Sequence, residues 1–138
     1  MNRPFLLDTC AALWIVSGEI SAATASALTD ARDKGLPIFV SPITAWEIGL
    51  SARKGRFKSP YSPQRWFEIL TGTPGTYVAE LTAQIMMESS FLPGRMNNDD
   101  PADRIIAATA REYGYTVMTR DKALLDYGRE GHLSVLEC

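Results

Sequence analysis

Apolar residues along the chain fall into short runs, and between the runs lie longer stretches with helical spacing. That alternation predicts α/β units around a mainly parallel sheet. Strands are expected over residues 4–7, 38–40, 77–81, 116–119 and 133–136. A short helix should follow Asp8, and an Ala-rich helix over 21–34 should stop at Gly35. Ser41 and Pro42 should cap a helix running to about residue 53. Further helices are expected over 64–70, 83–91, 101–113 and 121–127, with Pro101 opening the third of these. Residues 55–63 read as a basic loop and 92–100 as an irregular polar segment.

No repeat, low-complexity stretch or long linker divides the chain, so residues 1–138 are expected to form one domain. Hydrophobic residues make up 46% and charged residues 22%, a globular balance. The first ten residues contain no long apolar core of a signal peptide, and no apolar stretch approaches the ~20 residues that span a bilayer. Cys10 and Cys138 lie near opposite ends, without the spacing of a zinc site or a disulfide framework. The expected location is a reducing cytoplasm, with no membrane partner.

The acidic residues carry the chemical signal. Asp8 follows Phe5-Leu6-Leu7 at the end of the first strand, where open α/β sheets bind ligands. Taken alone, Asp8 is better explained as the cap of the next helix. On the helix after Ser41, Glu47 shares an apolar stripe with Ile43, Trp46 and Leu50. A charge on such a stripe needs a partner or a cation, unless its stem snorkels to water. Asp103 stands three, four and seven residues before Ile106, Ala107 and Ala110, at the end of another apolar face. Asp100 before Pro101 is a natural N-cap, and an acid at the Asp103 position also favours the helix dipole. Asp121 lies just past a strand end, with the Thr119 hydroxyl nearby, and it too fits a cap.

Parallel topology would bring these acids to one edge of the sheet. Two carboxylates about 5 Å apart repel by roughly 3 kcal/mol at an effective dielectric of about 20. Asp8, Glu47, Asp103 and Asp121 therefore ask for cations or raised pKa values. Ligands that are all oxygen select Mg²⁺ or Mn²⁺ over zinc, and such ions activate water and stabilise charge on a phosphodiester.

These segments also resemble the motifs of PIN-domain, VapC-type toxins. Phe5-Leu-Leu-Asp-Thr-Cys-Ala-Ala-Leu-Trp14 looks like the opening motif, with Asp8 as a metal-binding acid and Thr9 beside it. Val40-Ser-Pro-Ile-Thr-Ala-Trp-Glu-Ile-Gly49 resembles the second, with Glu47 in the acidic position. Asp100-Pro-Ala-Asp-Arg-Ile-Ile-Ala-Ala-Thr-Ala110 is similar to the third through Asp103, and Val117-Met-Thr-Arg-Asp121 to the fourth through Thr119 and Asp121. The resemblance spans nearly the whole chain. It implies a three-layer α/β/α sandwich, cleavage of single-stranded RNA with Mg²⁺ or Mn²⁺, a cognate VapB-like antitoxin and a homodimer. Two positions depart from the pattern: Asn98 stands where many relatives carry histidine, and Ala102 where phenylalanine is common.

Other features bear on rival functions. The net charge of −2 argues against nucleic-acid binding by overall charge, but Arg53, Lys54, Arg56 and Lys58, followed by Arg65, form a local basic strip. Such a strip fits an RNA contact or a solvated face. His132, the sole histidine, lies away from every motif, which disfavours histidine-based nucleases and Ser-His-Asp hydrolases. No phosphate-binding glycine loop is present. A receiver-type phosphoacceptor domain shares the size and the acidic pocket, but lacks a place for mid-helix Glu47. A catalytically silent binding module of the same fold is the other alternative.

Overall fold

The computed structural model describes residues 3–96 and 99–138, so the Asn98 position lies outside the described residues. Five strands are present there: β1 (Phe5–Leu7), β2 (Ile38–Val40), β3 (Thr76–Val78), β4 (Thr116–Thr119) and β5 (Ser134–Glu137). Seven helices accompany them: α1 (Thr9–Ser17), α2 (Ala22–Asp33), α3 (Pro42–Arg53), α4 (Pro63–Thr71), α5 (Ala83–Glu88), α6 (Pro101–Tyr113) and α7 (Lys122–Arg129). The sheet order is β3-β2-β1-β4-β5, and every pairing is parallel.

Because strand side chains alternate, the central strands β1 and β4 feed two cores. Leu7, Ile38, Val40 and Met118 point to the face covered by α1, α2, α3 and α4, against Ala12, Leu28, Ile48 and Trp66. Leu6 and Val117 point the other way, against Ile106, Ala107 and Ala110 of α6 and Leu124 and Tyr127 of α7. The result is the expected three-layer sandwich, its sheet buried on both faces as parallel sheets require.

The helix starts follow local chemistry. Ser21, Ser41, Ser62 and Thr82 each cap a helix through the side-chain oxygen, and Pro42, Pro63 and Pro101 occupy first turns where no amide is needed. Gly114 ends α6 at φ 74, a left-handed conformation that favours glycine.

Two elements are shorter than the sequence pattern predicts. β3 covers 76–78 rather than 77–81, because the chain leaves the sheet after Ala79 to enter the Thr82 cap. α5 stops at Glu88 rather than near residue 91. The Ser89 hydroxyl turns back onto the Met86 carbonyl (2.6 Å), the Arg104 guanidinium takes the Ser89 carbonyl (2.9 Å), and Phe91 is 84% exposed, leaving no burial to extend the helix. Among the described residues no single helix is long and apolar enough to cross a membrane.

β1 is the point from which successive strands are laid down in opposite directions, toward β2 on one side and β4 on the other. Such switch points open a crevice beyond the carboxyl ends of the strands. α6 precedes β4 and runs back across the sheet, so its first turn lies at that same edge.

Candidate functional site

Asp8 is the first residue past β1 and is 3% exposed. Its amide donates to the Met118 carbonyl (3.1 Å), which carries the β1–β4 register one step beyond β1. One carboxylate oxygen, Oδ1, accepts from the Ala11 amide (2.7 Å) and caps α1. The other, Oδ2, accepts from the Thr119 hydroxyl. Thr119, itself fully buried, also accepts from the Asp121 amide (2.9 Å). Asp121 caps α7 through Oδ2, which takes the Leu124 amide at 3.0 Å. Capping and clustering therefore coexist at Asp8 and Asp121, since each cap uses a single carboxylate oxygen.

A second hydroxyl chain holds Glu47. Thr9 donates to Glu47 Oε1, and Thr44 Oγ1 lies 3.0 Å from Thr9 Oγ1. With the Thr9 proton directed at the carboxylate, Thr44 is the donor to Thr9. Thr44 is fully buried at the position three residues before Glu47, on the same helical face. That spacing, three residues from an acid on one helical face, is the only sequence signal that marks Thr44. The stripe around Glu47 differs from the expected one: the inward positions of α3 are Thr44 and Ile48, whereas Trp46 is 53% exposed. Helical rotation puts Glu47 on the flank of the buried face, half-covered beside the crevice.

Asp103 sits in the first turn of α6, three and four residues before the fully buried Ile106 and Ala107, as expected. Asp100 caps the helix by accepting from the Ala102 amide (2.9 Å), and Ala102 itself is buried.

The electrostatics bind these residues into one set. Burial raises the Asp103 carboxyl to about 7, and Asp100, Asp121, Glu47 and Asp8 all push in the same direction. Burial also raises Asp8 despite the hydrogen bonds from Thr119 and Ala11, with Asp121 adding to the rise. Glu47 is raised by burial against the Thr9 hydrogen bond, and further by Asp100 and Asp8. Cys10, the residue after Thr9, reports the same field. Partial covering first, then Asp8, Asp103, Glu47 and Asp121, push its thiol up to about 11. No cation offsets the rise at Asp8 or Glu47 among the described residues.

The donors are hard oxygens, which suit Mg²⁺ or Mn²⁺. Among the described residues, however, no three acidic, histidine or cysteine side chains already stand at ligand spacing around one point. The carboxylates share a field without forming a closed cage.

The basic strip lies along one flank. A cleft of about 390 Å³ is lined by Trp46, Glu47, Lys54, Arg56 and Asp100. A groove of about 830 Å³ leads from Thr9 and Glu47 past Trp14, Arg56, Lys58 and Tyr61. Arg53 is exposed and lines neither, and Arg65 is paired with Glu68 at 3.3 Å. His132 stacks on Tyr127 with ring centroids 4.9 Å apart and serves packing on the far side of the fold.

The PIN domain family matches residues 5–130 of the chain. Ribonuclease VapC22 of Mycobacterium tuberculosis is 30% identical over 124 residues, covering 86% of this chain and 88% of that protein. Among solved structures, a chain of the DNA-bound VapBC complex from Salmonella typhimurium superposes with TM-score 0.67 at 18% identity. The match covers 99% of this chain and 98% of that one. A chain of VapBC2 from Rickettsia felis, bound to a promoter DNA fragment, gives TM-score 0.66 at 15% identity, covering 97% and 98%. With the family matched along almost the full chain, the VapC relative aligned over most of both sequences and the fold shared with the VapBC structures, the chain belongs to the PIN-domain family as a member of VapC type.

Proposed function

We propose that this protein is a metal-dependent endoribonuclease that acts as the toxin of a toxin–antitoxin pair. The observation that carries this reading is Asp103, raised to about 7 in a field made by Asp100, Asp121, Glu47 and Asp8. Mutually destabilised carboxylates at the carboxyl edge of a parallel sheet are poised for a divalent cation. Asp8, Glu47, Asp103 and Asp121 would hold Mg²⁺ or Mn²⁺, which supplies water activation and charge stabilisation at a phosphodiester when bound. The chain's own contribution is orientation. Thr119 fixes Asp8, Thr9 backed by Thr44 fixes Glu47, and the α1 and α7 caps keep Asp8 and Asp121 from swinging away. The retained acids favour this reading over a catalytically silent module, and the relative named Ribonuclease VapC22 supports RNA as substrate.

The VapBC structures that share the fold support a VapB-like antitoxin as the partner. An antitoxin arginine entering the acidic crevice would stabilise the carboxylates while displacing metal. A homodimer is supported by exposed apolar side chains, Met86 and Met87 of α5 and Phe91 beyond it. Two free cysteines fit a reducing cytoplasm.

Incubation of purified protein with RNA, followed by sequencing of the new 5′ ends, tests the activity. Cleavage should need Mg²⁺ or Mn²⁺ and stop in EDTA. Undiminished cleavage in excess chelator would remove the metal, and intact RNA under all conditions would remove the nuclease.

A further inference from the structure

Tryptophan exposed on a helix is unusual, because its large apolar surface gains most from burial. Trp46 is 53% exposed, one residue from Glu47 on α3, and it lines the cleft that Lys54, Arg56 and Asp100 share. Tyr61, also exposed, stands with Arg56 and Lys58 in the adjoining groove. Arg56 and Glu47 belong to both, so the two depressions join beside the acidic crevice.

The cations of this flank differ from most others in the protein. Arg32, Arg65, Arg104, Arg111, Arg120, Lys122 and Arg129 each donate to a carbonyl or carboxylate. Arg53, Lys54, Arg56 and Lys58 make no ion pair or side-chain hydrogen bond among the described residues. Unpaired cations beside exposed aromatic rings match the chemistry of a single nucleic-acid strand. Phosphates take the charge, and unstacked bases take the ring faces.

We propose that Trp46, with Lys54 and Arg56 lining the same cleft, forms a nucleobase-stacking subsite for a single-stranded RNA nucleotide next to the bond being cut. This rests on the ribonuclease reading for the identity of the strand. Lys54 and Arg56 hold flanking phosphates, and the ring of Trp46 sets which nucleotide reaches the carboxylates. The subsite also keeps a base-paired duplex out, since a paired base has no open face to offer.

The test uses full-length protein carrying Asp8→Asn, so that RNA is bound but not consumed. The probes are a single-stranded RNA oligonucleotide and an abasic oligomer of equal length and charge. Trp46→Leu should weaken binding of the RNA about tenfold and leave the abasic oligomer unaffected. Its salt dependence should not change, because no charge is lost, whereas Lys54→Gln with Arg56→Gln should flatten the slope by roughly 0.7 per phosphate contact. Trp46→Phe should restore most of the affinity. With Asp8 intact, Trp46→Leu should raise KM and leave kcat nearly unchanged. Equal binding of RNA and abasic oligomer by the protein with Trp46 intact overturns the subsite. So does a Trp46→Leu variant that loses only self-association, by sedimentation, while keeping its RNA affinity. Failure of the protein with intact Asp8 to cut any RNA speaks against the ribonuclease reading separately, because the binding comparison decides the subsite without cleavage.

Discussion

The Thr119 hydroxyl donates to Asp8 Oδ2 although the two residues are 111 positions apart in the chain. Leu7 pairs with Met118 in the parallel register of β1 and β4, so Asp8, one residue past β1, meets Thr119, the last residue of β4. Thr119 is thereby the joint between Asp8 and Asp121, donating to the carboxylate of one and accepting from the amide of the other.

Replacing Thr119 with valine keeps the shape but leaves the Asp121 amide and Asp8 Oδ2 without their buried partner. The expected cost is about 1–3 kcal/mol of stability, together with reduced cleavage. Thr119→Ser, which returns the hydroxyl, should recover both. A valine variant as stable and active as the parent would show that the joint orients nothing.

Asp8→Asn separates capping from catalysis. The amide oxygen still accepts from Ala11, so the loss from α1 should stay below about 1 kcal/mol. Burial penalises the charged form of Asp8, which further offsets that loss. Cleavage should fall by more than about a hundredfold, since disturbing even outer partners of metal ligands costs about 10–100-fold. Circular dichroism and an RNA cleavage assay on the same preparation check both halves. Near-normal turnover would return Asp8 to a purely capping role.

A divalent cation should stabilise the folded protein. Binding only to the folded state adds about 2.7 kcal/mol at a hundredfold excess over Kd. Thermal melts with and without Mn²⁺ should show the shift in wild type, and Glu47→Gln or Asp103→Asn should reduce it. Equal shifts in the neutral variants would mean that these carboxylates do not share a cation.

The metal-free protein should lose stability as pH rises toward 7. Asp103 titrates near 7 when folded and near 3.9 when unfolded, and Asp8 and Glu47 are displaced in the same direction. Between those values the folded state retains a proton that the unfolded state has released. The Asp103 contribution is therefore complete below about pH 4 and disappears as pH passes 7. Melting temperature in EDTA should be lower at pH 8 than at pH 6, and Asp103→Asn should shrink the difference. Cation affinity should rise over the same interval, because metal and proton compete for the carboxylates. A pH-independent melt in EDTA would contradict the raised carboxyl.

Short-range chemistry made much of the fold legible in advance. Ser41-Pro42, Asp100-Pro101 and Gly114 mark helix ends through capping oxygens, a missing amide and a left-handed φ, all decided within a few residues. The runs at Phe5–Leu7 and Ile38–Val40 announce buried strands for the same local reason. Where the reading of residues 77–81 and 83–91 overshot, distant contacts intervened. The Arg104 guanidinium takes the carbonyl at Ser89 from fifteen residues away, a contact that local propensity does not encode.

The acidic positions divide the same way. Sequence by itself determined that Asp8, Asp100 and Asp121 would cap helices and that Asp103 would begin a buried face, because those outcomes depend on neighbours along the chain. Only the tertiary structure decided that Trp46 faces solvent, that Thr44 and Thr9 hold Glu47, and that Thr119 holds Asp8. Those relations depend on helix rotation against the sheet and on strand register. Both are set by packing the whole core, in which each residue's position is fixed by side chains far from it in sequence.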